Sequence, residues 1–224
     1  MKDLDLTLDY MENARFNYVY GAAVARMEEP MFTTVEKLCI SMIYHKFVLR
    51  NGPRTRYMTV AQLSGFIRMM FKITDPLINQ RIVKVVSQDE SCVHPKFHPD
   101  RHCTLKSFMK MFTIYFSNDL EKRMQFVFSV YDEEEVGYLN RECVMRYIET
   151  FFMGDDEDEL FEMRADMLEL LFQKFDLDKD LVITFDEYCE VVRKQPELLE
   201  FLGTIYPSQY DLDVVGLCCN LQLG

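Results

Sequence analysis

A twelve-residue stretch from Asp176 to Glu187 limits the fold of this chain more than any other feature of the sequence. It carries oxygen-bearing side chains at its first, third, fifth, ninth and twelfth positions, and apolar residues of helical period precede and follow it. Loops of this pattern bind calcium through those side chains, a main-chain carbonyl at the seventh position and a bidentate twelfth side chain. The stretch therefore predicts a helix–loop–helix unit with a calcium site, whose predicted ligands are Asp176, Asp178, Asp180, Val182, Thr184 and Glu187.

The sixth position of this loop is Leu181, although a calcium loop needs a sharp turn there and usually has glycine. A left-handed conformation costs a residue with a side chain about 1–2 kcal/mol. At about 1.4 kcal/mol per tenfold change, calcium would bind about 5- to 30-fold more weakly than in a loop with glycine. We therefore expect a Kd on the order of 10 µM. Ile183, at the eighth position, is expected to pair with a neighbouring loop as a short strand.

The segment around Asp132 repeats this scheme. Apolar residues stand at the same offsets before and after Asp132 as they do around Asp176, which indicates an internal repeat. The second loop retains a turn glycine, Gly137, but its fifth position is Val136 and its twelfth is Cys143. Without the bidentate carboxylate this loop loses two of about seven oxygen ligands, so we expect it to bind no calcium.

The chain before residue 118 also shows helical stripes separated by loops. The first stripe has Thr34 as its predicted cap. The loop that follows this stripe has no acidic residue and contains Arg50, Arg54 and Arg56, which would repel a cation. We therefore expect one calcium-binding loop among four helix–loop–helix units.

These patterns together predict an all-α fold of four helix–loop–helix units, three of them degenerate, paired into two lobes. The predicted parts are an N-terminal extension at 1–30, a first lobe at 31–118 with an insertion at 89–103, a second lobe at 119–206, and a C-terminal tail at 207–224. The segment QPELLEFLGTIY, with Pro196 at a helix start and Gly203 at its end, is expected to pack onto the second lobe.

Charge is distributed unevenly along the chain. The net charge is −12, but residues 31–118 carry 13 basic and 5 acidic residues (net +8), and residues 119–224 carry 9 basic and 26 acidic residues (net −17). A basic first lobe would attract an acidic partner, or it is simply a solvated surface. Apolar residues make up 49% of the chain without a run long enough to span a membrane, and the seven cysteines are scattered. These features favour a folded cytoplasmic protein.

The insertion contains three of the four histidines of the chain together with two cysteines. Imidazole and thiolate groups are zinc ligands, so the candidate zinc residues are Cys92, His94, His98, His102 and Cys103. Their spacing matches no standard zinc finger, and a polar surface insertion remains the alternative. The sequence has no phosphate-binding glycine loop, dinucleotide motif or zinc-protease motif, which favours a protein that is not an enzyme.

The loop patterns resemble those of the EF-hand superfamily, and within it the chain resembles the calaxin family from about Phe32 to Tyr206. The resemblance lies in the segments LEKRMQFVFSVYD, MGDDEDELFEMRADMLELLFQKFDLD, TFDEY and QPELLEFLG. It implies an axonemal protein of cilia or flagella, in the docking complex of the outer dynein arm, through which calcium modulates dynein. Of the calcium ligands of the family, only Asp176, Asp178, Asp180 and Glu187 are matched here.

Four functions follow from these features. The leading one is a calcium-binding adaptor whose methionine-rich helices hold an amphipathic helix or coiled coil of a partner protein. Docking-complex subunits, dynein or microtubules would be that partner, and neither nucleic acid nor a membrane span is expected. The alternatives are a calcium-independent structural subunit, a regulatory subunit that resembles calcineurin B and binds a target helix, and a scaffold organised by zinc.

Overall fold

The computed structural model describes residues 9–52, 55–88, 97–98 and 100–221. These residues form ten α-helices, one 3₁₀-helix and four short strands, which confirms the all-α fold. The helices are α1 (Tyr10–Ala25), α2 (Thr34–Arg50), α3 (Val60–Met70), α4 (Pro76–Ser87), α5 (Leu105–Phe116), α6 (Leu120–Tyr131), α7 (Arg141–Phe151), α8 (Glu157–Phe175), α9 (Phe185–Lys194), the 3₁₀-helix η1 (Pro196–Leu198) and α10 (Gln209–Cys218). The strands are β1 (Met58–Thr59), β2 (His102–Cys103), β3 (Tyr138–Asn140) and β4 (Val182–Thr184).

The contacts within the chain divide it into two compact units. The first unit comprises the described residues of Met1–Thr74, Val83–Phe116 and Pro207–Gly224, and the second comprises Asp75–Ile82 and Ser117–Tyr206. The units differ from the predicted lobes in two places, because residues 75–82 group with the second unit and the C-terminal segment groups with the first. No helix within the described ranges combines the length and the apolar character that a membrane crossing requires.

The first unit holds two helix–loop–helix units joined by a short antiparallel ladder. Strand β1 pairs with β2, with Met58 opposite Cys103. Helix α2 is capped by Thr33 and not by Thr34, so that prediction is wrong by one residue. The reason is a capping box: the hydroxyl of Thr33 accepts the N–H of Glu36 (3.3 Å), and the Glu36 carboxylate accepts the N–H of Thr33 (2.7 Å). Glu36 is three residues after Thr33, the spacing that this motif requires.

Two helices that the sequence patterns did not predict also belong to the first unit. Helix α1 lies within the predicted N-terminal extension and buries Phe16, Tyr20 and Val24, which stand four residues apart on one face. The Phe16 and Tyr20 rings stack with their centroids 5.1 Å apart. Helix α10 lies within the predicted tail and buries Val215. The apolar surface of this unit is therefore covered in part by the two ends of the chain.

In the second unit, the segment after α9 packs as predicted, although only Pro196–Leu198 is helical, as η1. Its apolar side chains Leu199, Phe201 and Leu202 are buried, and the Phe201 ring stacks on that of Phe175 with centroids 4.1 Å apart. Two buried tyrosines fix its backbone: Tyr188 donates to the Leu199 carbonyl and Tyr131 to the Gly203 carbonyl, both at 2.8 Å. Gly203 has φ of +116°, and a Cβ there would lie 2.5 Å from Cδ1 of Ile78. This position therefore requires glycine.

Candidate calcium site

The loop from Asp176 to Glu187 lies between α8 and α9 and is fixed at both ends by the helices. The N–H of Asp176 closes the last turn of α8 by donating to the Phe172 carbonyl (3.0 Å). Thr184 caps α9, and the carboxylate of Glu187 accepts both the N–H (2.9 Å) and the hydroxyl (2.7 Å) of Thr184. This capping box follows from a threonine placed three residues before a glutamate. It turns the Glu187 carboxylate towards the loop.

Within the loop, main-chain N–H groups hold the carboxylates in place. Asp176 accepts the N–H of Asp180 (3.2 Å) and of Leu181 (3.0 Å) through its two oxygens. Oε1 of Glu187 accepts the N–H of Leu177 (2.8 Å). As a result, Asp176, Asp178 and Glu187 each place one carboxylate oxygen within 4.8 Å of the others, and this is the one such group of potential metal ligands in the described ranges.

The electrostatics of the loop favour a cation. The pKa of Asp178 is raised, first by desolvation and then by the nearby carboxylates, of which Asp180 contributes most. Burial also acts to raise the pKa of Glu187, but hydrogen bonds from Thr184, Leu177 and Asp178 together lower it below its usual value. Carboxylate oxygens held this close repel one another, and a hard divalent ion such as calcium relieves that repulsion. The donor set therefore fits calcium.

The turn at the sixth position has the predicted conformation. Leu181 has φ of +71° and its side chain is 60% exposed. Two positions earlier, Lys179 has φ of +64°. Because a leucine in the left-handed region is unfavourable by about 1–2 kcal/mol, the loop holds this conformation at a cost. The N–H of Leu181 reaches Asp176 only in this turn, so the conformation and the carboxylate contact depend on each other.

Three other predicted ligands lie at the edge of this group. Oδ1 of Asp180 accepts the N–H of Val182 (3.0 Å), and the Asp180 carboxylate is not among the three that approach one another. Val182 pairs with Asn140 across the β3–β4 ladder, in which Ile183 stands opposite Leu139. The predicted strand contact of Ile183 is thus confirmed. The hydroxyl of Thr184 is engaged with Glu187.

The sister loop, from Asp132 to Cys143, has the same turn without the same ligands. Asp132 accepts the N–H of Val136 (3.1 Å) and of Gly137 (2.7 Å), and Gly137 has φ of +86°. At the twelfth position, the thiol of Cys143 donates to the Tyr131 carbonyl (3.3 Å). Burial raises the pKa of Cys143, so this thiol is neutral at pH 7. A neutral sulfur in place of a bidentate carboxylate makes a poor calcium site.

The guanidinium group of Arg81 places a permanent positive charge next to the start of the sister loop. Arg81 is 6% exposed, and its Nε donates to the Val130 carbonyl (3.0 Å) while its Nη2 donates to the Asp132 carbonyl (2.8 Å). These carbonyls close α6 and open the loop, where the helix dipole favours positive charge. Sequence reasoning missed this role. The sequence feature that could have indicated it is the position of Arg81 between Ile78 and Ile82, because a basic residue on the apolar face of the segment TDPLINQRIVKVV is expected to be buried.

The candidate zinc residues do not come together in the described ranges. Cys92 and His94 lie outside those ranges. The N–H of His98 donates to Nδ1 of His102 (3.2 Å), and the two imidazole rings are 6.1 Å apart. Cys103 is fully buried, and its thiol donates to the Thr104 carbonyl (3.4 Å). The zinc site remains a prediction.

The predicted basic loop is described in part. Arg50 lies over the Phe47 ring, 5.8 Å from its centroid, and Arg56 is exposed. Arg54 lies outside the described residues. The attraction of this loop to an acidic surface therefore remains a prediction.

Comparison with known proteins agrees with this geometry. A family described as "EF-hand domain pair" matches residues 121–193, which contain both loops of the second unit. That segment is an EF-hand pair, a calcium-binding module. Over more of its length the chain is similar to calaxin: it is 21% identical to calaxin of Danio rerio over 79% of this chain and 81% of the relative, and 24% identical to calaxin of Xenopus laevis over 79% and 82%. It is 23% identical to calaxin of Homo sapiens over 64% of each chain. The chain thus contains an EF-hand pair and is similar to calaxin over about four fifths of its length.

Proposed function

We propose that this protein is a calcium-binding regulatory adaptor of the axoneme, not an enzyme, and that it binds one calcium ion in the loop from Asp176 to Glu187. The observation that carries the proposal is the approach of three carboxylate oxygens within 4.8 Å in a loop whose turn is already formed. Asp176, Asp178 and Glu187 would hold the ion, and the side chain of Asp180, the carbonyl of Val182 and the hydroxyl of Thr184 would complete its shell.

The axonemal part of the proposal is supported by similarity to calaxin over about four fifths of the chain. The partners would be subunits of the outer dynein arm docking complex, dynein or microtubules. Calcium would act by linking the end of α8 to the start of α9, since Asp176 directly follows α8, Thr184 directly precedes α9, and both would bind the same ion. A partner that contacts either helix would then respond to calcium.

A second candidate, a calcium-independent structural subunit, is favoured by a different observation. The sister loop is held by Arg81, and the segment 196–206 packs onto the same unit through Phe201 and two tyrosine hydrogen bonds. These contacts need no ion. The two candidates differ in whether partner binding changes with calcium.

Cosedimentation with axonemes separates the two candidates. Full-length protein would be mixed with axonemes that retain the outer dynein arm docking complex and with axonemes that lack it, in calcium or in chelator. The regulatory proposal expects retention only by axonemes with the complex, and a calcium dependence that Glu187→Gln removes and Glu190→Gln keeps. Retention that is equal in calcium and chelator would establish the structural candidate instead. Equal retention by both kinds of axoneme would exclude the docking complex as the partner, and retention by neither kind would contradict the axonemal assignment.

A further inference from the structure

A cavity of about 460 Å³ lies within the first unit, which takes no part in the calcium site. It is bordered by α1, α2 and the chain that follows α2. Its apolar wall is made by Val19, Ala23, Val48, Leu49 and Leu105. Cavities of this size and composition hold small organic ligands in other proteins.

His45 gives this cavity a polar centre. The residue is 3% exposed, and neither imidazole nitrogen has a hydrogen-bond partner among the residues that the structure describes. The ring centroids of Tyr20 and Phe16 lie 5.0 and 5.5 Å from the centroid of the His45 imidazole. Burial, and then the charge of Arg15, lower the pKa of His45 to about 4, so at pH 7 the ring is neutral and offers one donor and one acceptor. Buried polar atoms without partners are uncommon in folded proteins and often mark a ligand position.

Among the described residues that line the cavity, the charged side chains are basic. Arg15 and Arg56 line it, and no acidic residue is among the described residues that do so. Two guanidinium groups beside a low-dielectric wall attract an anion more strongly than they would in water. Arginine also binds carboxylate, sulfonate and phosphate groups through paired N–H donors.

We propose that this cavity is a binding site for a small organic anion with an aromatic or aliphatic body. The anionic group pairs with Arg15 and Arg56, and the imidazole N–H of His45 donates to the same ligand. The apolar body of the ligand packs against Val19 and Val48. A purely apolar cavity in which His45 serves only as an aromatic ring would bind a neutral ligand equally well, so charge discrimination decides between the two interpretations.

Two dyes of similar shape test this discrimination in the full-length protein. Anilinonaphthalene sulfonate is an organic anion, and phenylnaphthylamine is its neutral counterpart. We expect the anion to bind with one-to-one stoichiometry and at least tenfold more tightly than the neutral dye. Saturation with the anion should also shift the imidazole proton resonances of His45, assigned by their loss in His45→Phe. That shift places the dye in the cavity.

Variants separate the site from general dye binding. The double change Arg15→Gln and Arg56→Gln alters exposed side chains, and it should weaken the anion about tenfold or more without changing binding of the neutral dye. Arg68→Gln, an exposed arginine of the same unit outside the cavity, is the matched control and should change neither. If His45→Phe fails to fold, the double variant alone decides. Equal binding of both dyes, an unchanged affinity in the double variant, or the lack of one-to-one anion binding would overturn the proposal.

Discussion

The two loops of the second unit, 132–143 and 176–187, have the same backbone turn but different side chains at the ligand positions. In both, the first aspartate accepts the N–H groups of the fifth and sixth residues, and the fourth and sixth residues have positive φ. In both, the eighth residue pairs across the β3–β4 ladder. Only the later loop ends in a carboxylate that faces the other acids. The two loops therefore share a turn formed by one aspartate and the ladder, and we propose that the ion site depends on the twelfth residue.

The loops also differ in what supports them. The earlier loop has a permanent cation, Arg81, hydrogen-bonded to the Asp132 carbonyl at its start and to the Val130 carbonyl in the last turn of α6. The later loop holds several carboxylates close together, and desolvation and then these like charges raise the pKa of Asp178. One loop is therefore stabilised within the chain, and we propose that the other is stabilised by an ion from solution.

The largest effect is expected from removing the internal cation. Arg81→Met removes the charged donor from the carbonyls of Val130 and Asp132, which keep only the weaker donors Tyr147 (3.2 Å) and Glu135 (3.4 Å), and it should lower the free energy of unfolding by about 2–4 kcal/mol. Urea unfolding in calcium and in chelator would measure it, with the exposed Arg68→Met as control. Because Arg81 supports the loop that we expect to bind no ion, the loss should be the same in both conditions. If the free energy of unfolding fell in chelator but not in calcium, the proposed difference between the two loops would be contradicted.

The second prediction converts the earlier loop to the later one. Val136→Asp together with Cys143→Glu supplies the fifth and twelfth ligands on a turn that already exists. We expect calcium stoichiometry to rise from one to two, with an affinity gain at the new site of about 100-fold over a loop that lacks the bidentate carboxylate. The neutral pair Val136→Asn and Cys143→Gln is the matched control for volume. Stoichiometry that stays at one would show that the twelfth residue is not the decisive difference.

The third prediction concerns the turn. Leu181→Gly relieves a left-handed leucine and gives the later loop the glycine that the earlier loop has at the same position. Calcium should bind about 5- to 30-fold more tightly. Leu177→Gly, which changes an exposed leucine of the same loop, controls for general loosening of the chain and should not tighten binding. Equal or weaker binding by Leu181→Gly would mean that the turn is not strained in the ion-free protein.

The sequence predicted the features that depend on local spacing. The helix–loop–helix repeat, the left-handed Leu181 and the strand contact of Ile183 all follow from the positions of side chains within one loop, and the structure confirms them.

The features that escaped prediction depend on contacts between distant segments. Arg81 stands about 50 residues before the carbonyls that it binds, so no local pattern reports it. The buried faces of helices α1 and α10 have only a few apolar residues, such as Phe16 and Val215. These apolar faces can be recognised as buried only when the surface against which they pack is known. The cavity around His45 likewise forms between segments that are far apart in the chain.

Calorimetric calcium titration of the full-length protein and of Glu187→Gln tests the central claim most directly. Glutamine is also accepted at this position of a capping box, so α9 should still form while the bidentate charge is lost. Glu190→Gln, which changes a neighbouring acid of α9 outside the carboxylate group, is the control. The account predicts one calcium per chain with a Kd on the order of 10 µM, no measurable binding in Glu187→Gln, and unchanged binding in Glu190→Gln. Two or more ions per chain, or comparable affinity retained in Glu187→Gln, would contradict it.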